Sequence, residues 1–246
     1  MSEVFQNVVL LRYTPAPEET VAMGARLCYS ASSIDEIAKG VAEKDQSAFI
    51  DKVVSMGHLS TVEHAVFTFG IEGVSRSLLA QITRHRIASF SVQSQRYVGI
   101  KMPEGQTFGY IIPPAIKALG KEAEEDFSKQ MQIIQGWYNE WADKLGGQGE
   151  SVFEDARFVL PNAAETKILC TMNARELRHF FALRCCNRAQ WEIRELAWRM
   201  LALAKEAAPH IFANAGPACI SSICPEGKRS CGKAAEVIKR YDQLGK

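Results

Sequence analysis

The sequence predicts a globular fold that mixes α-helices with a smaller number of β-strands. Hydrophobic residues make up 47% of the 246 residues and charged residues 23%, which is the usage of a chain that buries a core. The segment AVFTFGI at 65–71 alternates and is rich in β-branched and aromatic types, as strands are. Residues 189–208 instead repeat apolar side chains with the helical period. The length suits one domain, or one domain with an appendage.

The first hundred residues are predicted to alternate strands and helices. Pro17 suits the first position of a helix, and Gly57 suits the position just after one. The predicted elements are, in order, a strand at 8–13, a helix from 17 to about 30, a helix at about 42–56, a strand at 65–71, a helix at about 74–86 and an irregular polar stretch to 98.

The remaining residues are predicted to be mainly helical. The sequence Gly146-Gly147 should end a long helix, and Asn173 with Glu176 has the spacing of a helix-capping box. The predicted elements are a turn and short strand at 105–114, a helix at 115–145, a short helix at 151–158, a strand at 167–172, a helix after 173 and a helix at 189–208. A tail rich in Gly, Pro and Cys follows at 216–232.

The charge and cysteine content exclude several classes of protein. The net charge is +1, so no overall field favours nucleic acid or an anionic membrane. No apolar run approaches the roughly 20 residues that span a bilayer, and the N-terminus lacks the pattern of a signal peptide. Seven scattered cysteines fit reduced thiols better than a disulfide framework. We therefore expect a cytoplasmic protein without membrane or nucleic-acid partners, whose anion sites come from local arginine clusters.

The helix predicted after Asn173 carries an arginine on its apolar face. That face is formed at i, i+3, i+4 and i+7 by Leu177, Phe180, Phe181 and Arg184. A buried guanidinium is costly unless it is paired, so Arg184 needs an anion or a polarised oxygen. A structural ion pair with Glu192 or Glu195 is the alternative, and this helix alone does not decide between the two.

The segment RHRIASFSVQSQRY at 84–97 holds three arginines, four hydroxyl groups and no acid. A solvated surface usually mixes both signs of charge, so this composition indicates a receptor for an anion with several oxygens. Gln81, Arg84 and His85 lie within one turn of the helix predicted before it, where their donors converge. Taken alone, the same segment also fits a basic patch that binds RNA.

At this segment the chain resembles the flavin-dependent thymidylate synthase family. The family signature is Arg-His-Arg, seven residues and then Ser, matched by Arg84, His85, Arg86 and Ser94. Further motifs follow in the family's order, namely HLSTVEHAVFTF at 58–69, ARFVLP at 156–161, MNARELRHF at 172–180 and ALRCCNRAQWEI at 182–193. Several ordered motifs are more specific than one short pattern. The resemblance covers residues 1–212 as a catalytic domain and leaves 213–246 as a cysteine-containing tail.

The resemblance implies an activity and an assembly. Members convert dUMP to dTMP, with 5,10-methylenetetrahydrofolate as carbon donor and FAD reduced by NADPH as hydride source. The implied fold is α+β, with a central sheet flanked by helices, flavin bound outside a Rossmann unit, and a homotetramer whose sites lie between subunits. The absence of Gly-x-Gly-x-x-Gly after a strand agrees with a non-Rossmann site.

The resemblance also implies the roles of individual residues. Arg184 is the expected catalytic residue, because it would stabilise negative charge on the uracil ring. The expected dUMP contacts are Gln81, Ile82, Thr83, Arg84, Val92, Gln93, Ser94, Gln95, Arg96, Arg157 and Arg184. The expected FAD contacts are Ser60, Arg84, His85, Arg86, Val92, Asn173, Ala174, Arg175 and His179. Val92 replaces the Glu or Gln common in relatives.

We expect no metal site. His58, Glu63 and His64 have a spacing that suits no single helix face. Cys219, Cys224 and Cys231 are the better candidates, but their spacing is loose and the sequence supplies no obvious fourth ligand, so structural thiols are favoured.

Overall fold

The computed structural model describes residues 3–244. The strands are β1 (Asn7–Tyr13), β2 (Val66–Ser75), β3 (Ala88–Val92) and β4 (Glu165–Asn173). The helices are α1 (Pro17–Leu27), α2 (Ile34–Ala42), α3 (Ser47–Ser55), α4 (Arg76–Ile82), α5 (Pro114–Lys117), α6 (Lys121–Lys144), α7 (Glu150–Ala156), α8 (Ala174–Arg184), α9 (Trp191–Ala207) and α10 (Ala234–Asp242). Short 3-10 turns occupy Thr61–His64, Arg157–Val159, Ala218–Ile220 and Gly227–Arg229. The α+β class implied by the resemblance is confirmed.

The four strands form one sheet in the order β1-β2-β4-β3. Strands β2 and β4 run antiparallel. Ala174 N donates to Ala65 O, and Thr68 and Thr171, three residues later in β2 and three earlier in β4, share a hydroxyl hydrogen bond of 2.9 Å. Along β4, alternate residues from Thr166 to Met172 are buried, which is the period of a strand with one face on a core.

The chain forms two compact units. The first consists of the residues up to Asn7, Ile71–Arg84 and Phe90–Leu169. Its core lies under α6 and contains two groups of buried side chains, which are Phe108, Tyr110, Ile112, Met131 and Ala164, and then Tyr138, Ala142, Val152 and Ala156.

The second unit consists of Val8–Gly70, His85–Ser89 and the residues from Cys170 onwards. Phe212 is at the centre of its aromatic core, with ring centroids 5.2 Å from Phe67 and 5.9 Å from Phe181. The tail packs within this unit, since Tyr241 accepts a hydrogen bond from Asn214 N and Arg240 pairs with Glu195. The boundary between 212 and 213 remains a prediction.

Most predicted elements are confirmed within a few residues, and five predictions were wrong in part. The helix predicted at 42–56 begins only at Ser47, as α3, and the helix predicted to reach 86 ends at Ile82. The short strand predicted at 105–114 is reduced to isolated bridges at Tyr110. The polar stretch before 98 contains β3, and the helix predicted at 115–145 is two helices, α5 and α6. Helices α2 and α10 were not predicted.

Local chemistry explains two of these differences. Ser33 forms a complete capping box with Glu36, which starts α2, a helix that the sequence interpretation missed. Gly120 separates α5 from α6 with a φ of 103°, a conformation that glycine adopts without a steric penalty. Within residues 3–244, no helix is both long and apolar enough to cross a membrane.

Candidate active site

Helix α8 is fixed at its start by Asn173, whose side chain accepts a hydrogen bond of 2.9 Å from Glu176 N. The apolar stripe predicted from the sequence is confirmed, because Leu177, Phe180 and Phe181 are fully buried. Arg184 continues this stripe at the last residue of the helix and is half-buried. The buried apolar face of α8 therefore fixes the position of Arg184 at its end.

Three side chains of the second unit form a continuous hydrogen-bonded chain. His85 Nδ1 lies 3.0 Å from Oε1 of Glu176, and Arg184 Nε donates to His85 Nε2 at 3.0 Å. Both His85 and Glu176 are buried. Burial lowers the pKa of His85, hydrogen bonding to Glu176 raises it, and the charge of Arg184 lowers it again.

A cavity of about 720 Å³ lies beside α8. It brings together three residues that the resemblance assigns to FAD, which are Asn173, Arg175 and His179. Its wall also includes Arg178 and the segment 214–216, none of which the sequence interpretation had assigned to a site. Arg178 lies three residues after Arg175, on the same side of the helix. That spacing was the signal in the sequence that could have assigned Arg178 to the site.

Arg178 is anchored within this wall by two hydrogen bonds. Its Nη1 atom donates to the carbonyl oxygens of Ile211 and Ala213 at 2.7 and 3.0 Å, and burial lowers its pKa. These bonds hold the chain segment after Ile211 against α8. The segment that completes the cavity thus lies just beyond residue 212, where the sequence interpretation placed a domain boundary.

A second cavity of about 590 Å³ lies between α3 and the turn that follows it. Ser60 and Arg175 line it, and Arg175 also lines the first cavity. Arg175 forms an ion pair with Glu63, which orients its guanidinium. Arg175 is therefore placed to contact a ligand from either cavity.

The first unit has a more open cavity of about 400 Å³. Gln95 and Arg157, both expected dUMP contacts, line it together with Arg76. The Nε atom of Arg76 is buried and has no hydrogen-bond partner among residues 3–244. Burial lowers the pKa of Arg76, and the charge of Arg157 lowers it further. Two converging guanidinium groups favour an anion here, and sequence reasoning had missed Arg76.

Residues 84–97 contain no acidic residue, but in the folded protein they contact carboxylates from elsewhere in the chain. Arg96 forms ion pairs with Glu150 and, at 2.9 Å, with Glu154, both on α7. A segment without acids in the sequence can meet carboxylates from a distant helix, and the composition argument overlooked this. Arg96 remains a predicted dUMP contact that already has carboxylate partners.

The other expected residues are less closely grouped. Ile82 and Ala174 are fully buried, so only their backbones could meet a ligand. Arg84 and Arg86 are exposed. Gln93 N pairs with Lys167 O in the sheet, and Ser94 Oγ accepts from Arg96 N. The remaining expected residues lie at the end of α4 or in β3, and they are Gln81, Thr83 and Val92.

Three of the cysteines have thiols whose pKa is raised. Burial raises the pKa of Cys170 to about 12 and that of Cys185 well above its usual value. Burial also raises the pKa of Cys219, and the nearby thiols of Cys186, Cys224 and Cys231 raise it further. Among residues 3–244, no three His, Cys, Asp or Glu side chains are arranged to hold a metal ion.

Comparison with known proteins places these residues in a family. The family described as thymidylate synthase complementing protein matches residues 9–210. A Geobacter sulfurreducens protein is 52% identical over 238 residues, covering 97% of this chain and 99% of the relative. A Clostridium tetani protein is 48% identical and covers 96% of each chain, and a Pyrococcus horikoshii protein is 44% identical over 89% of this chain and 90% of its own.

All three relatives are named flavin-dependent thymidylate synthase. The matched region contains α8, its cap Asn173, and the residues His85 and Arg184 that meet on it. The chain therefore belongs to the thymidylate synthase complementing protein family, the flavin-dependent thymidylate synthases that its sequence resembles.

Proposed function

We propose that the protein is a flavin-dependent thymidylate synthase that converts dUMP to dTMP. It would take its carbon from 5,10-methylenetetrahydrofolate and its reducing equivalents from NADPH. The observation that carries this proposal is the convergence of Asn173, Arg175 and His179 on one cavity, in a chain with near full-length similarity to enzymes of that name.

The residues beside α8 fit a flavin nucleotide. A volume of about 720 Å³ lies in the range of cofactor sites, and amide and guanidinium donors suit the oxygens of a pyrophosphate. We assign FAD to Asn173, Arg175 and His179, with Ser60, Arg84, His85, Arg86, Val92 and Ala174 as further expected contacts. When bound, FAD supplies the hydride chemistry that the side chains lack. The antiparallel sheet and the missing glycine motif support a site outside a Rossmann unit.

The cavity of the first unit is our candidate for the dUMP phosphate. Arg76 and Arg157 supply two guanidinium groups there, and Gln95 supplies an amide. Bidentate donors of this kind suit phosphate oxygens. The remaining dUMP contacts proposed from the resemblance are Gln81, Ile82, Thr83, Arg84, Val92, Gln93, Ser94 and Arg96.

We assign Arg184 to the uracil ring. The ring's C5 carbon becomes nucleophilic when negative charge on the ring is stabilised, and a guanidinium held against an apolar helix face can do this. Because Arg184 is half-buried, water would screen its charge less than that of a surface arginine.

We also propose a cytoplasmic homotetramer with sites between subunits. An exposed apolar stripe on α6 supports association, because Ile133, Trp137 and Trp141 repeat every four residues and each is about half exposed. Large exposed apolar surfaces commonly mark interfaces. The RNA-binding alternative is weakened because Arg96, part of its basic patch, is paired with Glu150 and Glu154.

The deciding experiment is tritium release from dUMP labelled at C5, measured with and without methylenetetrahydrofolate and NADPH. The proposal predicts a yellow protein whose release requires both co-substrates and whose product is dTMP. A colourless protein that binds RNA with steep salt dependence would instead support the alternative.

A further inference from the structure

We propose that His85 is a positioning residue that holds the guanidinium of Arg184 through its Nε2 atom, while Glu176 fixes the ring from the other side. This inference rests on the proposed function, because it concerns the residue assigned to the uracil ring. It assigns both ring nitrogens of His85 to Glu176 and Arg184, which leaves the backbone of His85 for the flavin contact that the resemblance implies.

The donors and acceptors of the three side chains fix the tautomer of His85. An arginine Nε always carries a hydrogen, so His85 Nε2 must accept the 3.0 Å bond from Arg184 with its lone pair. The proton of the neutral ring then resides on Nδ1, which donates to the carboxylate of Glu176. The chain of bonds therefore has one direction, from Arg184 to His85 to Glu176.

Packing prevents the ring from turning out of this chain. His85 is only 6% exposed, and its ring meets that of Phe180 edge to face at a centroid distance of 5.0 Å. Glu176 and Arg184 are at opposite ends of α8, about 12 Å apart along the axis at 1.5 Å per residue. His85 bridges this separation, so Glu176 at the start of α8 orients Arg184 at its end through the histidine ring.

The bridge works only while His85 is neutral. Adding a proton to Nε2 would remove the acceptor and place a second positive charge against Arg184. Burial, which lowers the pKa of His85, and the adjacent cation both oppose that proton. At neutral pH, the lone pair on His85 Nε2 thus continues to accept the hydrogen bond that orients the guanidinium of Arg184.

Two substitutions separate positioning from packing. His85→Phe keeps an aromatic ring but removes both nitrogens, whereas the amide oxygen of His85→Gln can reach the Nε2 position and accept from Arg184. We expect His85→Phe to retain FAD and to lower kcat for tritium release by roughly 100-fold, the cost of a small misplacement of a reacting group, with a smaller effect on KM for dUMP. His85→Gln should recover most of that loss.

His210→Gln is the matched control, because His210 also pairs with a carboxylate, Asp51, at 3.0 Å. We expect it to leave kcat unchanged. If the wild-type protein is active and His85→Phe behaves like His210→Gln, the positioning role is wrong. If the wild-type protein shows no dUMP chemistry, the proposed function itself has failed.

A spectroscopic readout tests the geometry without activity. In ¹⁵N spectra of histidine-labelled protein, with His85 identified by its loss in His85→Gln, we expect the neutral Nδ1–H tautomer at neutral pH. A ring protonated on Nε2 would overturn the inference whatever the kinetics.

Discussion

Arg76 and Arg157 line one cavity with their guanidinium groups close enough that the charge of Arg157 lowers the pKa of Arg76. Repulsion between two like charges raises the free energy of the folded protein, and a bound anion would offset that repulsion. Arg157 Nε already donates to the carbonyl of Glu154, which holds it in place. Arg76 therefore brings a buried, unpaired Nε–H to a site already organised by Arg157.

Replacing Arg76 should weaken nucleotide binding. We expect Arg76→Ala to raise the Kd for dUMP by roughly tenfold or more, because hydrogen bonds to charged groups contribute about 1.5–3 kcal/mol. Isothermal titration of the FAD-bound protein measures this directly. Deoxyuridine, which lacks the phosphate, should bind the variant and the wild type equally well.

The control for this experiment is Arg12→Ala, since Arg12 is an exposed residue whose guanidinium donates to the carbonyl oxygen of Leu11 and lines none of the cavities described. Equal losses of dUMP affinity in both variants would show that net charge, and not the cavity, is responsible.

Removing Arg184 should separate cofactor binding from chemistry. We expect Arg184→Ala to keep its FAD and to lose dTMP formation, because the half-buried guanidinium is assigned to the charge that develops on uracil. Flavin absorbance and tritium release, measured on one preparation, test both halves of the prediction. Turnover like that of the wild type would remove the assigned role.

Local sequence features predicted α8, its cap and its apolar face well. The cap at Asn173 and the apolar stripe from Leu177 to Phe181 depend only on neighbouring residues, so they could be recognised before the fold was known. The stripe also identified Arg184 as an arginine partly withdrawn from water.

Long-range partners could not be predicted in the same way. His85 and Arg184 are separated by 99 positions, and nothing in either segment indicates that they meet. The carboxylates that pair with Arg96 come from α7, far along the chain. Strand β3 was missed because polar serines alternate in it, and its pairing depends on β4.

The pH dependence of stability should report on His85. Its pKa is below the ordinary 6.5 in the folded protein, because burial and the charges of Arg184 and His179 outweigh the opposing effect of Glu176. The unfolded chain therefore binds the proton more tightly, and this contribution to stability is present above pH 6.5 and lost as the pH falls below it. Urea unfolding on both sides of that pH should show a smaller decline for His85→Gln than for the wild type. Parallel declines would contradict the assignment.

Asn173 should have two separable roles, as the cap of α8 and as a flavin contact. We expect Asn173→Ala to lower the free energy of unfolding by about 1 kcal/mol, the usual value of an N-cap, and also to weaken FAD binding. Ser33→Ala is the matched control, because Ser33 caps α2 with the same geometry and lines none of the cavities described. It should lose similar stability and keep its FAD. Denaturation with and without added FAD measures both quantities, and equal FAD affinity in the two variants would leave Asn173 with the capping role alone.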